Sequence, residues 1–193
     1  MNQITNYYKN NGDQGHGEDF DYAQIKLHSP KNQNEIEESN MLISKCDLGK
    51  IIVFKWYLGK SGYPVTYGSF DKKISFTHPK QIHRFLYGDQ AFGYVIDHIN
   101  RNKLDNRRAN LRMCTPGENS CNKTKPVNSL NKYKGVSVQK NGKYKASVTK
   151  NGVTHAINDI VTEREAAHIY DMMAEELHGQ FAAKNFIDPD EIK

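Results

Sequence analysis

Long apolar runs are missing from this 193-residue chain. None comes near the roughly 18 residues that a membrane span needs, and the first residues carry no hydrophobic signal-peptide core. The expectation is a soluble protein. Cysteine is scarce as well: Cys46, Cys114 and Cys121 are the whole supply, an odd count with no CxxC pair. That argues against a disulfide framework and against a standard structural zinc site, and it suits a reducing interior. Hydrophobic residues make up 37% of the chain, and mean hydropathy is −0.79, so any core is modest. The length allows one mid-sized domain or two to three small ones.

Acid is nearly absent from the middle of the chain. Between Asp97 and Lys150 thirteen basic side chains face only Asp97, Asp105 and Glu118. The acids gather toward the two ends. A basic band of this kind is the electrostatic footprint of a nucleic-acid binder, although a solvated basic surface would look the same.

Residues 1 to 40 are rich in Asn, Gln, Gly, Asp and Glu and read as a flexible polar lead-in. Order is expected from about Met41. "IIVFKWYL" (51–58), "GYPVTYG" and "KKISF" suggest a small β-rich stretch, and "QIHRFLYG" (81–88) fits a helical turn or a short strand equally well. "YVIDHI" (94–99) reads as a strand entering a turn, and "NLRMC" as a second strand after the polar loop 100–109. Thr115, Pro116 and Glu118 then give a helix start: cap, first-turn proline, and an acid three residues after the cap. "KTKPVNSLNK" looks like a linker. Beyond it, Asn-Gly pairs at 141–142 and 151–152 separate alternating runs, which predicts hairpins. In the middle run Tyr144, Ala146 and Val148 alternate with Lys143, Lys145, Ser147 and Thr149, so one face is apolar and the other polar and basic. A helix follows, capped by Thr162 and Glu165 and stopped at Gly179. Ala166, Tyr170, Met173 and Leu177 form the stripe that should cover the apolar face.

The chemistry concentrates in 94–122. Phosphodiester hydrolysis needs an activated water, charge neutralisation on the phosphate and stabilisation of the leaving oxygen. Histidine is suited to the base, and one hard divalent ion on carboxylate and amide oxygens can serve both electrostatic needs. Asp97, His98 and Asn119 are an economical set for that: two metal oxygens and one base. Asn110, at the loop's end, is placed to hold the loop through its backbone.

"DHINRNKLDNRRANLR" followed by "TPGEN" resembles the HNH (ββα-metal) endonucleases, in particular those of phages and homing elements. The resemblance implies His98 as general base, Asp97 and Asn119 as ligands of one Mg²⁺ or Mn²⁺ ion, and Asn110 as the residue that orients the loop. Asn119 stands where the family's namesake third histidine is found, a substitution that many members carry. Upstream, Trp56, Tyr63, His83 and Arg84 resemble what often precedes the motif. Arg101, Lys103, Arg107, Arg108, Arg112 and Lys123 would then hold the phosphate backbone.

Residues 132–186 resemble the DNA-binding domain of plant ethylene-response factors (the Apetala type), through "YKGV", "GKYKASV", "TEREAAHIYDMMAEELHG" and "FAAKNF". That likeness implies a three-stranded antiparallel sheet on one helix, with Lys134, Ser137, Gln139, Lys143, Lys145, Ser147 and Thr149 facing DNA. The plant domains carry arginines where Ser137 and Gln139 stand, so guanine readout is weaker here and lysine contacts to phosphate dominate. His155, His168 and His178 read as structural or solvated.

The combined expectation is an α+β chain: lead-in 1–40, nuclease domain 41–124 with its core motif at 94–124, linker 125–131, DNA-binding domain 132–186 and tail 187–193. Its function would be metal-dependent cleavage of double-stranded DNA to 5′-phosphate and 3′-hydroxyl ends. The protein would be phage- or bacterium-encoded and cytoplasmic in a bacterial host. The alternative is a non-catalytic DNA-binding regulator with a vestigial nuclease fold.

Overall fold

The computed structural model describes residues 4–9, 20–28, 39–123 and 131–185. The linker expected at 125–131, apart from residue 131, and the tail expected at 187–193 lie outside the described residues. The chain divides into two units, Met1–Cys114 and Thr115–Lys193.

In the first unit, strands β1 (Ile4–Tyr8), β2 (Tyr22–Lys26) and β3 (Asn40–Ser44) build an antiparallel sheet. Helix α1 (Lys45–Ile51) follows directly, then strands β4 (Tyr57–Leu58), β5 (Pro64–Gly68) and β6 (Ser75–Gln81) and helix α2 (Ile82–Tyr87). Strands β7 (Val95–His98), β8 (Asp105–Asn106) and β9 (Leu111–Cys114) complete the unit. β4, β5 and β6 pair in order, β7 pairs with β9, and β8 joins the first sheet beside β3 in parallel.

The described parts of 1–40 therefore correct the expectation of a flexible lead-in. Ala23 and Ile25 alternate with polar neighbours and are wholly buried against Met41 and Ile43. Average composition hid a two-residue period that only a partner strand makes visible. A second difference lies at 51–55, expected to be extended. Ile51 ends α1 instead and Phe54 meets Trp56, whose Nε1 donates to the Ile51 carbonyl at 3.0 Å. The open alternative at 81–88 resolves as helix, with Ile82 and Leu86 four apart on the buried face.

In the second unit, helix α3 (Pro116–Cys121) is followed by strands β10 (Val136–Val138), β11 (Tyr144–Lys150) and β12 (Val153–Ile160) and helix α4 (Glu163–His178). α3 starts with a full capping box between Thr115 and Glu118. The strands pair antiparallel in chain order. Asn151 and Gly152, at φ of 52° and 80°, make the left-handed two-residue turn that suits the twist of β11 and β12. Val136, Ala146, Val148 and Ile160 bury one sheet face against Ala166, Ala167, Tyr170 and Ala174 of α4. Gly135 (φ 71°) allows this packing, since a Cβ there would lie 2.0 Å from the Tyr170 ring. Among the described residues no helix is long and apolar enough to cross a membrane.

Candidate active site and nucleic-acid face

The β7–β9 hairpin aligns Asp97 with Arg112 and His98 with Leu111. Ile96 and Leu111 anchor it in the core, at 7% and 5% exposure. The connecting loop is cross-tied by amides. Asn110 Oδ1 accepts from the Asn100 backbone at 2.9 Å, and its Nδ2 donates to the Asp105 carbonyl at 2.7 Å. Asn100 Nδ2 donates to Asp105 Oδ2 at 2.8 Å. Arg101, at φ 65°, turns the chain back, its N–H on the His98 carbonyl. These bonds fix the end of β7, where His98 sits.

His98 is buried, and its Nε2 lies 3.0 Å from Asn106 Oδ1. Asn106 uses its Nδ2 to donate to the Lys103 carbonyl at 3.1 Å, so its oxygen faces the imidazole. An acceptor on Nε2 places the ring proton there and leaves Nδ1 as the basic nitrogen. Burial holds the His98 pKa below the ordinary histidine value, although the Asn106 bond and the charges of Asp97 and Asp105 pull the other way. The ring also packs against Tyr63 and His83, with centroids 5.8 and 5.3 Å away. Tyr63 stays protonated: burial and the Asp97 charge both raise its pKa.

Asp97 is buried too, and its Oδ2 accepts from Arg112 Nη2 at 2.7 Å and Nε at 3.0 Å. The pair lies directly across the two strands, where opposite charges are favourable. Asn119, on α3, belongs to the second unit. Among the described residues no three His, Cys, Asp or Glu side chains gather around one point. By chemistry alone, the carboxylate of Asp97 and the amide oxygen of Asn119 are hard donors. That fits a divalent ion which keeps several waters and takes phosphate oxygens, as Mg²⁺ does, and does not fit zinc.

The arginines of the loop have intramolecular partners. Arg107 pairs bidentately with Asp105, at 2.8 and 2.7 Å, and covers Tyr22. Arg108 grips Asp47, with Nη2 to Oδ1 at 2.8 Å, donates to the Leu86 carbonyl and covers Tyr87. Burial works against the charge of Asp47 and Asp105, but their arginines outweigh it and bring both carboxyls below the usual range. Arg107, Arg108 and Arg112 thus first hold the unit together around the loop. Lys103 is exposed and lies over Tyr63, its Nζ on the Ser61 carbonyl.

In the second unit, Lys145, Ser147 and Thr149 alternate with the buried Ala146 and Val148, so they stand on the sheet face away from α4. Lys143 flanks them and is exposed, and Ser137 pairs in register with Lys145. Gln139 holds the sheet's own backbone, since its Oε1 accepts from the Asp159 N–H at 2.8 Å and braces a residue at φ 60°. Lys134 donates to the Cys121 and Lys123 carbonyls at 2.8 and 2.6 Å. Lys123 itself is exposed. His178 is not merely solvated, since its Nδ1 lies 3.4 Å from Cys121 Sγ.

Sequence reasoning missed Asn106 as the partner of His98. Eight residues separate them, and only the β3–β8 pairing brings the amide inward. The "LDNRR" run is polar throughout and carries no local signal for which amide turns in.

A family model described as HNH endonuclease matches residues 84–121. The chain is 50% identical to "Uncharacterized HNH endonuclease L560" of Acanthamoeba polyphaga mimivirus over 140 residues, which cover 70% of this chain and 68% of the relative. It is 38% identical to "Protein 3.8" of Escherichia phage T7 over 91 residues, 47% of this chain and 74% of that protein. No solved structure matches the chain.

Proposed function

The chain belongs to the HNH endonuclease family and is a nuclease, and we propose that it hydrolyses phosphodiester bonds of double-stranded DNA with His98 as general base. The observation that carries this reading is the buried His98–Asn106 pair at 3.0 Å, which directs the basic Nδ1 of a neutral imidazole to its work. In the reaction Nδ1 takes a proton from water, and the oxygen of that water attacks phosphorus. Asn106 holds the ring while it carries the extra proton, and Asn110 keeps the loop that presents it. Asp97 and Asn119 would hold a divalent ion, Mg²⁺ or Mn²⁺, which supplies charge neutralisation at the phosphate and the leaving oxygen when bound. Arg112 keeps the Asp97 carboxylate in one orientation. The products are a 5′ phosphate and a 3′ hydroxyl.

Arg101, Lys103 and Lys123 serve as contacts to the phosphate backbone. The second unit acts as an ethylene-response-factor-like targeting module, laying Lys143, Lys145, Ser147 and Thr149 on the duplex. Its lysines give affinity and register more than base choice. Both relatives come from viruses, and the reading is of a virus-borne nuclease working inside the infected host cell.

Supercoiled plasmid incubated with the protein and Mg²⁺ or Mn²⁺ tests this reading. Nicked or linear product is expected with the wild type, none with EDTA, and a rate about 1,000-fold lower with His98→Ala. Equal cutting by His98→Ala removes the proposed base.

A further inference from the structure

One buried titratable group has a polar atom that ring packing does not satisfy. His83, the second residue of α2, is 4% exposed, and its Nδ1 is enclosed with no hydrogen-bond partner among the described residues. Leaving such an atom buried and unpaired costs folding free energy. A phenylalanine would fill the same space without that cost. The ring is not remote from the chemistry. It meets His98 nearly perpendicular, at 81°, with centroids 5.3 Å apart, and it leans on Tyr63 at 4.8 Å. Tyr63 lies 5.8 Å from His98 in turn, so three rings close a triangle that contains the base. The one side chain in this cluster with an unsatisfied buried atom is therefore next to the residue that must handle a water.

We propose that His83 is a catalytic residue that orients the attacking water: its Nδ1 accepts one hydrogen of the water while His98 takes the other as a proton. The proposal rests on the hydrolytic reading above. In the step, one O–H bond of water breaks toward His98, the water oxygen bonds to phosphorus, and the bond from phosphorus to the 3′ oxygen breaks. The electron pair leaves on that oxygen, which takes a proton from solvent. His83 neither gains nor loses a proton. Burial, with the charges of His98 and Arg84, lowers its pKa to about 3. It is thus neutral at every working pH and never competes with His98 as a base. A water held by one acceptor still rotates, whereas two acceptors leave a lone pair aimed at phosphorus.

The full chain is tested as wild type, His83→Phe and His83→Asn. Phenylalanine keeps the ring contacts and removes the polar atom; asparagine returns a polar atom near the position of Nδ1. Single-turnover cleavage of a labelled duplex, duplex affinity and melting temperature are measured on each. His83→Phe should melt at or above the wild-type temperature, bind duplex equally and cut about 100-fold more slowly. His83→Asn should recover at least a tenth of the wild-type rate. Wild-type cutting by His83→Phe overturns the proposal, and so does a rate loss that only mirrors a loss of duplex binding. If His83→Phe does not fold, His83→Leu takes its place, and equal rates for Leu and Asn overturn it. A wild type that cuts nothing removes the hydrolytic reading itself, a result distinct from all of these.

Discussion

The two units treat buried polarity in opposite ways. In the first, Asp47, Thr66, His83, Asp97, His98, Asp105, Asn106 and Asn110 are all buried, several of them completely. In the second, the buried polar residues among those described are Asn122 and Asp171, beneath a core of valine, alanine, isoleucine and one tyrosine. The first unit spends polar groups on fixing one loop and one imidazole; the second packs a plain core and keeps its polar side chains on a sheet face. Chemistry needs held dipoles, and a docking face needs only a stiff support.

The contrast can be broken most severely at Asp47, which is 1% exposed beneath Arg108. Asp47→Ala leaves a guanidinium facing an empty, partly buried site and should cost the first unit about 3 kcal/mol. Asp171→Ala in the second unit removes the acceptor of the Asn185 backbone N–H, and its cost should be smaller, about 1–2 kcal/mol. The single tryptophan, Trp56, is wholly buried in the first unit, so its emission follows that unit through denaturant. A Trp56 transition unmoved by Asp47→Ala would contradict the ion-pair account.

These partners show what is and is not legible in the sequence. The caps at Thr115 and Thr162 and the Asn-Gly turns are readable because their chemistry closes within four residues. The alternation of Ala146 and Val148 marks the buried face of β11 for the same local reason. β1 and β2 escape notice because a strand's membership is decided by its neighbour. The arginines of the loop look like phosphate contacts, but Arg108 finds its acid 61 positions earlier, and no spacing announces that. His98 and Asp97 stand out as an acid–histidine pair, while Asn106 and the contact with His83 emerge only when β8 docks on β3 and α2 packs beside β7.

Acid should separate the units next. His83 stays neutral in the folded chain down to about pH 3, whereas an unfolded histidine takes a proton below about 6.5. The unfolded state therefore binds more protons in that window, and stability falls as pH drops through it. At pH 5 this histidine alone should cost about 2 kcal/mol relative to neutral pH. His83→Phe should remove that part of the acid sensitivity from the Trp56 transition, and an unchanged slope would contradict the burial.

The smallest effect belongs to the sheet face. Lys143→Ala with Lys145→Ala should leave both melting and the rate of bound cutting intact. Duplex affinity should fall, and the salt dependence of binding should flatten by about 1 to 2 units of slope. A normal slope would remove these lysines from the interface.

The pH dependence of single-turnover cleavage tests the central assignment most directly. A neutral His98 is the active form, and burial holds its pKa below the ordinary value, so the rate should fall on the acid side with a midpoint below about 6.5. His98→Ala should leave a slow residual rate without that limb. If the limb persists unchanged in His98→Ala, some other group is the base.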